Sequence, residues 1–309
     1  MNKPTKRIYN RDQTIGIIFV ILSLIFYAFS DALIKYFFKN YQFGIAQVTF
    51  LRSLGRIVPL IAFSLIAYTK TFSNPLKTNK ILYHLANSII GCGRTFAYIY
   101  AFSVMPLAES SSLSYTSAIF FAILATIFLN EKLKRYHLWA VILATIGIII
   151  ALRPGIDNML RFGAVIVLLG SLLAAISKIL IKKLTVKDDP LAIIFYPNIL
   201  LLIVTAPFLI NNWVPLDKSS ALLFVLVGFL AAIGQYFYAM ALKYASALTI
   251  APYDYSYLIW ILLTDFLFNS NFPDLTSIIG GLFVVISNIL ILAIELKRQH
   301  ANKKTRIIT

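Results

Sequence analysis

The chain has 309 residues, 60% of them hydrophobic and only 13% charged. Soluble domains carry about 25% charged residues, so this composition excludes an ordinary soluble enzyme and points to a membrane. The net charge of +16 would suit nucleic acid, but that binding needs a continuous basic surface; here the basic residues fall in short loops and tails between apolar runs.

A helix crosses a bilayer core of about 30 Å with roughly 20 apolar residues. Runs of this kind are predicted near 14–37, 44–68, 81–103, 107–128, 136–152, 161–181, 191–210, 220–242, 247–268 and 276–295. The first is expected to be a true span. It follows a basic tail (Lys3, Lys6, Arg7, Arg11), is longer than a signal core, and ends in Asp31 and Lys35 where a leader would end in small residues. The longest connection, 69–80, leaves no room for a soluble domain. The chain therefore divides into a basic tail (1–13), a first five-span unit (14–152), a second (161–295) and a second basic tail (296–309).

Positive charge assigns the sides. The tails and the connections after spans two, four, six and eight hold Lys3, Lys6, Arg7, Arg11, Lys70, Lys77, Lys80, Lys132, Lys134, Arg135, Lys182, Lys183, Lys187, Lys243, Lys297, Arg298, Lys303, Lys304 and Arg306. The opposite side holds only Lys39, Arg153, Arg161 and Lys218. The excess predicts cytoplasmic termini. Five spans per unit also means that the second unit inserts upside down. The 4–5 loop Asn130-Glu131-Lys132-Leu133-Lys134-Arg135 is basic, whereas its counterpart Asn269-Ser270-Asn271-Phe272-Pro273-Asp274 has no positive charge. Asp31-Ala-Leu-Ile-Lys35 in span one echoes Lys178-Ile-Leu-Ile-Lys182 in span six. Inverted repeats with a midplane site are the architecture of secondary transporters.

Charges at bilayer depth cost about 2.5–3.5 kcal/mol each on insertion scales, so each needs a partner or a wet cavity. The candidates are Asp31, Lys35, Arg52, Arg56, Arg94, Glu109, Lys178, Asp254 and Asp265. Asp31 can pair with Lys35 at i,i+4 or with Arg52 across helices. Arg52 and Arg56 share a face and repel, so at least one needs an acid or an anionic ligand. Arg94, deep in span three with Tyr98 one turn on, is the arginine best placed for substrate; its alternative is a clamp between helices. Glu109 begins span four beside Ser110, Ser111, Ser112 and Ser114, where the helix dipole favours an acid anyway. Lys178 is close enough to the end of span six to snorkel.

Span nine carries the most chemistry, in Ala251-Pro252-Tyr253-Asp254-Tyr255-Ser256-Tyr257-Leu258-Ile259-Trp260. Pro252 kinks the helix, which is tolerable where neighbours or water satisfy the freed carbonyl. Tyr253, Tyr257 and Trp260 fall on one helical face, with Asp254 on the adjacent line. A carboxylate beside aromatic faces suits an organic cation; it could equally carry a coupling proton, or belong to an interfacial aromatic belt with a structural ion pair. The single Cys92, flanked by Gly91 and Gly93, excludes an intramolecular disulfide and suggests a small-residue packing face. His84, His137 and His300 show no ligand spacing, Asp188-Asp189-Pro190 reads as a turn, and no Walker A loop is present. No cofactor or metal is expected.

The run Phe128-Leu129-Asn130-Glu131-Lys132-Leu133, then Gly147 and Leu152-Arg153-Pro154-Gly155, resembles the EamA repeat of the drug/metabolite transporter superfamily. Ala251-Pro252-Tyr253-Asp254-Tyr255 through Trp260, with Phe272-Pro273-Asp274 and Gly280-Gly281, resembles the second repeat of a bacterial branch that includes S-adenosylmethionine uptake transporters. The chain departs from these patterns at Ser270 and Asn271, where a glutamate is usual, and at Asp254, where that branch often has a basic residue. The resemblance implies an all-α integral membrane protein of ten transmembrane helices, built as two inverted five-helix EamA repeats around a central cavity in the bacterial inner membrane. It implies a non-enzymatic carrier of a small zwitterionic or cationic metabolite, with lipid and substrate as its partners. For S-adenosylmethionine, Asp254 and the tyrosines would hold the sulfonium or amine, Arg94 or Arg56 the carboxylate, and Trp260 or a tyrosine the purine. Asp31, Arg56, Arg94, Tyr98, Glu109, Tyr253, Asp254, Tyr257 and Trp260 are thus the expected substrate-binding residues. Export of amino acids or other metabolites is the alternative. A passive channel or a membrane-embedded enzyme is the alternative of another class, and the catalytic cluster that such an enzyme needs is absent from the sequence.

Overall fold

Helices start where the sequence places a capping side chain before an apolar run. Asp189 accepts from the Leu191 amide at 2.9 Å, ahead of Pro190 at the first helical position, a position where proline loses no hydrogen bond. Asp217 accepts from the Ser220 amide at 3.1 Å, and the Ser246 hydroxyl accepts from the Thr249 amide at 3.1 Å, both N-caps of the usual kind. The computed structural model describes residues 13–41, 43–71, 74–104, 113–152, 162–269 and 275–308, and among them there is no strand.

The helices are α1 (Gln13–Asn40), α2 (Ile45–Thr71), α3 (Ile81–Val104), α4 (Thr116–Phe128), α5 (Arg135–Leu152), α6 (Phe162–Leu184), α7 (Pro190–Thr205), α8 (Lys218–Tyr244), α9 (Tyr257–Asn269) and α10 (Leu275–Ile308). A 3₁₀ turn, Ala206–Leu209, prolongs α7. Among the described residues, five helices are long and apolar enough to cross a membrane by length and composition: those containing Gln13–Ile34, Ile45–Ile66, Phe162–Leu184, Pro190–Leu209 and Lys218–Tyr244. Thr116–Phe128, Arg135–Ile150 and Ile278–Ile294 are shorter apolar segments. Large apolar side chains such as Leu65, Leu82, Trp139, Leu222 and Ile289 face outward, as a lipid-facing surface requires.

The ninth span is not one continuous helix. A single turn, Ala247–Ile250, leads into a 3₁₀ segment, Ala251–Ser256, and only then into α9. Pro252 lacks the amide that an α-helix would use, and the tighter segment follows from it. The tenth helix also differs from its predicted end, continuing through the basic tail to Ile308.

Packing pairs the two units with each other rather than within themselves. The principal contacts are α1 with α8, α3 with α6, α5 with α10, α2 with α7, α2 with α8, α3 with α7, α4 with α6, and α1 with α9. Exchanging each helix for the one five places along maps this set onto itself, the signature of a pseudo-two-fold relation between the repeats. Hydrogen bonds follow the same rule. Ser30 on α1 donates to the Val227 carbonyl on α8 at 3.1 Å, and Ser177 on α6 donates to Asn87 Oδ1 on α3 at 2.7 Å.

Small residues permit the close approaches. A Cβ on Gly228 would lie 2.3 Å from the Gly55 Cα, and one on Gly147 would lie 2.6 Å from the Gly280 carbonyl oxygen. Both contacts join one repeat to the other, as small-residue interfaces do in membranes.

Connections on one side of the bundle are locked as well. Glu131, in the 4–5 loop, accepts from the Ala247 and Leu248 amides at 2.9 Å each and so caps the start of the ninth span from the opposite repeat. Lys182 donates to the Leu242 and Ala245 carbonyls, the end of α8 that immediately precedes that turn.

Candidate functional site

Two charged networks lie where the repeats meet. In the first, Asp31 of α1 receives Arg52 Nη2 from α2 at 2.6 Å on one carboxylate oxygen and the Tyr257 hydroxyl from α9 at 2.6 Å on the other. Arg52 also reaches the Ser30 hydroxyl at 3.4 Å. Asp31 is therefore joined to Arg52 across helices; the Lys35 side chain lies outside the described residues. One turn along α2, Arg56 Nη1 donates to Asn198 Oδ1 at 3.1 Å, and Asn198 in turn donates to Gln235 at 3.3 Å. The neighbouring arginines thus resolve their repulsion by taking different partners.

In the second network, Lys178 Nζ of α6 lies 2.5 Å from Asp254 Oδ2, and the Tyr238 hydroxyl donates to Asp254 at 3.1 Å. The Lys178 ammonium also stands 5.5 Å from the Phe121 ring centre and 5.7 Å from that of Tyr238. A cation held between two ring faces and a carboxylate is the arrangement that recognises organic ammonium groups. Lys178 is thereby drawn inward to a partner instead of reaching for the headgroups. Positions 31 and 178 occupy equivalent places in the two repeats and carry opposite charge. Each is paired with a counter-ion and a tyrosine from another helix.

Arg94 stands apart. Among the described residues it makes no hydrogen bond or ion pair, yet it lies within electrostatic reach of Tyr27, Arg56, Tyr98 and Tyr238. Asp254 acts on Tyr98 and Tyr238 too, so Arg94 and Asp254 address the same tyrosines from opposite charge. Arg52 Nε, Arg56 Nε and Trp260 Nε1 are among seven buried side-chain polar atoms that have no hydrogen-bond partner among the described residues. Buried donors are rarely left unmatched, and a ligand rich in acceptors would satisfy them.

The remaining candidates separate. Tyr98 donates to Ser171 Oγ at 3.4 Å and packs on Gly170. Tyr253 donates to the Asn288 carbonyl of α10 at 3.0 Å and is almost fully buried, because the 3₁₀ segment shifts it out of the face it would share with Tyr257 in a regular helix. Glu109 and the Asp265 side chain lie outside the described residues. The sequence reading did not single out Tyr27, Phe121, Asn198, Gln235, Tyr238 or Glu131. Asn198 and Gln235 are uncharged polar residues inside apolar spans, a signal a search for charges passes over. Among the described residues no group of three or more histidine, cysteine or acidic side chains could hold a metal.

Similarity to known proteins agrees with this architecture. The EamA-like transporter family matches residues 14–153 and 161–293, one unit in each half. An S-adenosylmethionine uptake transporter of Rickettsia bellii is 27% identical over 294 residues, covering 93% of this chain and 96% of that protein. The pseudopaline exporter CntI of Pseudomonas aeruginosa is 24% identical over 273 residues, covering 88% and 94%. A solved crystal structure superposes with a TM-score of 0.77 over 92% of this chain and 99% of that one at 13% identity, a likeness of fold alone. With a match in each half and the helix order of two five-helix repeats, the chain belongs to the EamA-like transporter family.

Proposed function

We propose that this chain is a secondary carrier of the bacterial inner membrane, with cytoplasmic termini, that takes up S-adenosylmethionine by alternating access between its two repeats. The observation that carries the reading is the seat of Lys178, whose ammonium is bounded by Asp254, Phe121 and Tyr238. The same box is complementary to a sulfonium or an amino-acid ammonium, which would take Asp254 in place of Lys178. Arg94, with no hydrogen bond or ion pair among the described residues, offers its guanidinium to the substrate carboxylate, a planar fork suited to it. The unmatched Arg56 and Trp260 donors suit a heteroaromatic group with ring nitrogens. Tyr98 and Tyr257 complete the wall, Asp31 holds Arg52 and Tyr257 in place, and Tyr253 positions the 3₁₀ segment through α10. Glu109 keeps its place as a proposed contact from the start of span four. The near full-length likeness to S-adenosylmethionine uptake transporters at 25–27% identity supports the substrate.

A second reading is export of an amino-acid-derived zwitterion. The likeness to a pseudopaline exporter favours it, and the same charged groups would serve. Uptake of radiolabelled S-adenosylmethionine by cells expressing the chain, with amino acids and nucleosides as competitors, tests both. Saturable uptake accelerated by internal unlabelled substrate supports the first reading. Absent uptake, with loss of a preloaded amino acid derivative, supports the second. Non-saturable flux without acceleration would indicate a channel.

A further inference from the structure

The loop between α2 and α3 folds against the connection between α6 and α7. The Thr78 hydroxyl donates to Asp188 Oδ2 at 2.7 Å, His84 Nε2 meets the same oxygen at 2.8 Å, and the Tyr196 hydroxyl donates to the Leu76 carbonyl at 2.9 Å. These bonds hold open a recess of about 460 Å³ between the repeats, lined by Asn74, Lys77, Thr78, Lys80, Lys187 and Asp188 among others. Its one acid is buried and committed to Thr78 and His84. Lys80 donates to the Lys183 carbonyl at 3.1 Å, whereas the Lys77 and Lys187 ammonium groups have no partner among the described residues and are exposed. The first turn of α3 adds the positive end of a 24-residue helix.

What adjoins the recess identifies its ligand. From the Lys80 end, α3 presents Leu82, Leu85 and Ile89 outward along one face, and Val186 is exposed beside Lys187. An apolar lane thus leaves the recess in the direction of the bilayer. We infer that this recess is a phosphate-binding site for an anionic lipid headgroup, with Lys77 and Lys187 as its main contacts, Lys80 and the start of α3 behind them, and an acyl chain on the α3 lane. Basic recesses between helices at a membrane surface hold such headgroups by this chemistry. Because the walls come from both repeats, a bound phosphate bridges the two units at the point where their loops already meet. The inference is independent of which solute the carrier moves.

The test uses the purified full-length chain in detergent, with thermal unfolding read against added phosphatidylglycerol, phosphatidylethanolamine or inorganic phosphate. Phosphatidylglycerol should raise the unfolding temperature at lower concentration than phosphatidylethanolamine. The double variant Lys77→Gln/Lys187→Gln should need roughly thirty-fold more phosphatidylglycerol for the same effect, from two lysines near the surface at about one such contribution each. The control Lys218→Gln, on the opposite side, should match the parent. Without lipid the double variant should unfold at the parent temperature, since neither ammonium has a partner among the described residues; a lower value would mean that these lysines are structural and would overturn the inference. Equal protection of parent and double variant, or equal protection by the two lipids, would overturn it as well. Protection by inorganic phosphate alone that the double variant loses would keep the phosphate site and assign it to a soluble anion.

Discussion

The Tyr257 hydroxyl donates to Asp31 at 2.6 Å, so the first helix of one repeat and the ninth span of the other share one carboxylate. The bond places the Tyr257 phenol on the acid that also anchors Arg52. Tyr257→Phe removes a donor to a charged acceptor and should cost about 1.5–3 kcal/mol. Thermal unfolding in detergent measures the loss, and uptake should fall with it because Arg52 and α9 are no longer held together.

Lys178 and Asp254 offer a cleaner separation of stability from transport. Asp254→Leu strands a buried ammonium and should destabilise by roughly 3–5 kcal/mol. Adding Lys178→Met removes the stranded charge and should recover most of that stability. Transport should stay abolished in both variants if, as proposed, the Asp254 carboxylate receives the substrate cation. A double variant that regained uptake would show the pair to be a structural strut.

Arg94 predicts the reverse pattern. With no bonded partner among the described residues, Arg94→Ala should change stability by no more than about 0.5 kcal/mol, yet abolish uptake. Expression level and unfolding temperature at parent values, alongside lost transport, would be the expected pair of results. Full activity would remove Arg94 from the site.

Glu131 stabilises the ninth span by capping two amides of the other repeat. Glu131→Ala should cost about 1–2 kcal/mol, and hydrogen exchange should quicken first at residues 247–250. Faster exchange spread evenly over the bundle would argue against a local cap.

Asp217, at the start of α8 outside the span, is held down to about 2 from 3.8 by the Ser219 hydroxyl first, then by Ser220 through its side chain and amide. A folded value below the unfolded one means that this cap contributes fully above about pH 4 and is lost as pH falls towards 2. Protection at the first turn of α8, taken relative to the intrinsic exchange rate at each pH, should therefore fall across that window, and Asp217→Ala should remove that fall.

Much of this was legible in the residues. Apolar runs and loop charges gave the spans, and the charge exchange between loops gave two units. Buried charges marked the region where the repeats meet, because lipid penalises them strongly enough to leave a visible pattern. The same argument offered Asp31 either Lys35 or Arg52 as a partner, and the structure shows it joined to Arg52. What remained hidden was which helices touch. Partner choice for Lys178 depended on Tyr238 and Phe121, brought in by α8 and α4 from opposite repeats. The displacement of Tyr253 came from a 3₁₀ segment that helical periodicity does not anticipate. Glu131 looked like a loop residue because the amides that donate to it lie 116 and 117 positions away.

Interlocking of the halves governs how this chain must be made. Since α1 and α3 find their main neighbours in α8 and α6, neither five-helix piece carries its own core. Severing the linker after Leu152 would yield fragments whose glycine-lined faces lie bare to lipid until the complementary piece arrives. Biogenesis must therefore keep early helices waiting in the bilayer, and the structure closes only after translation has delivered α8.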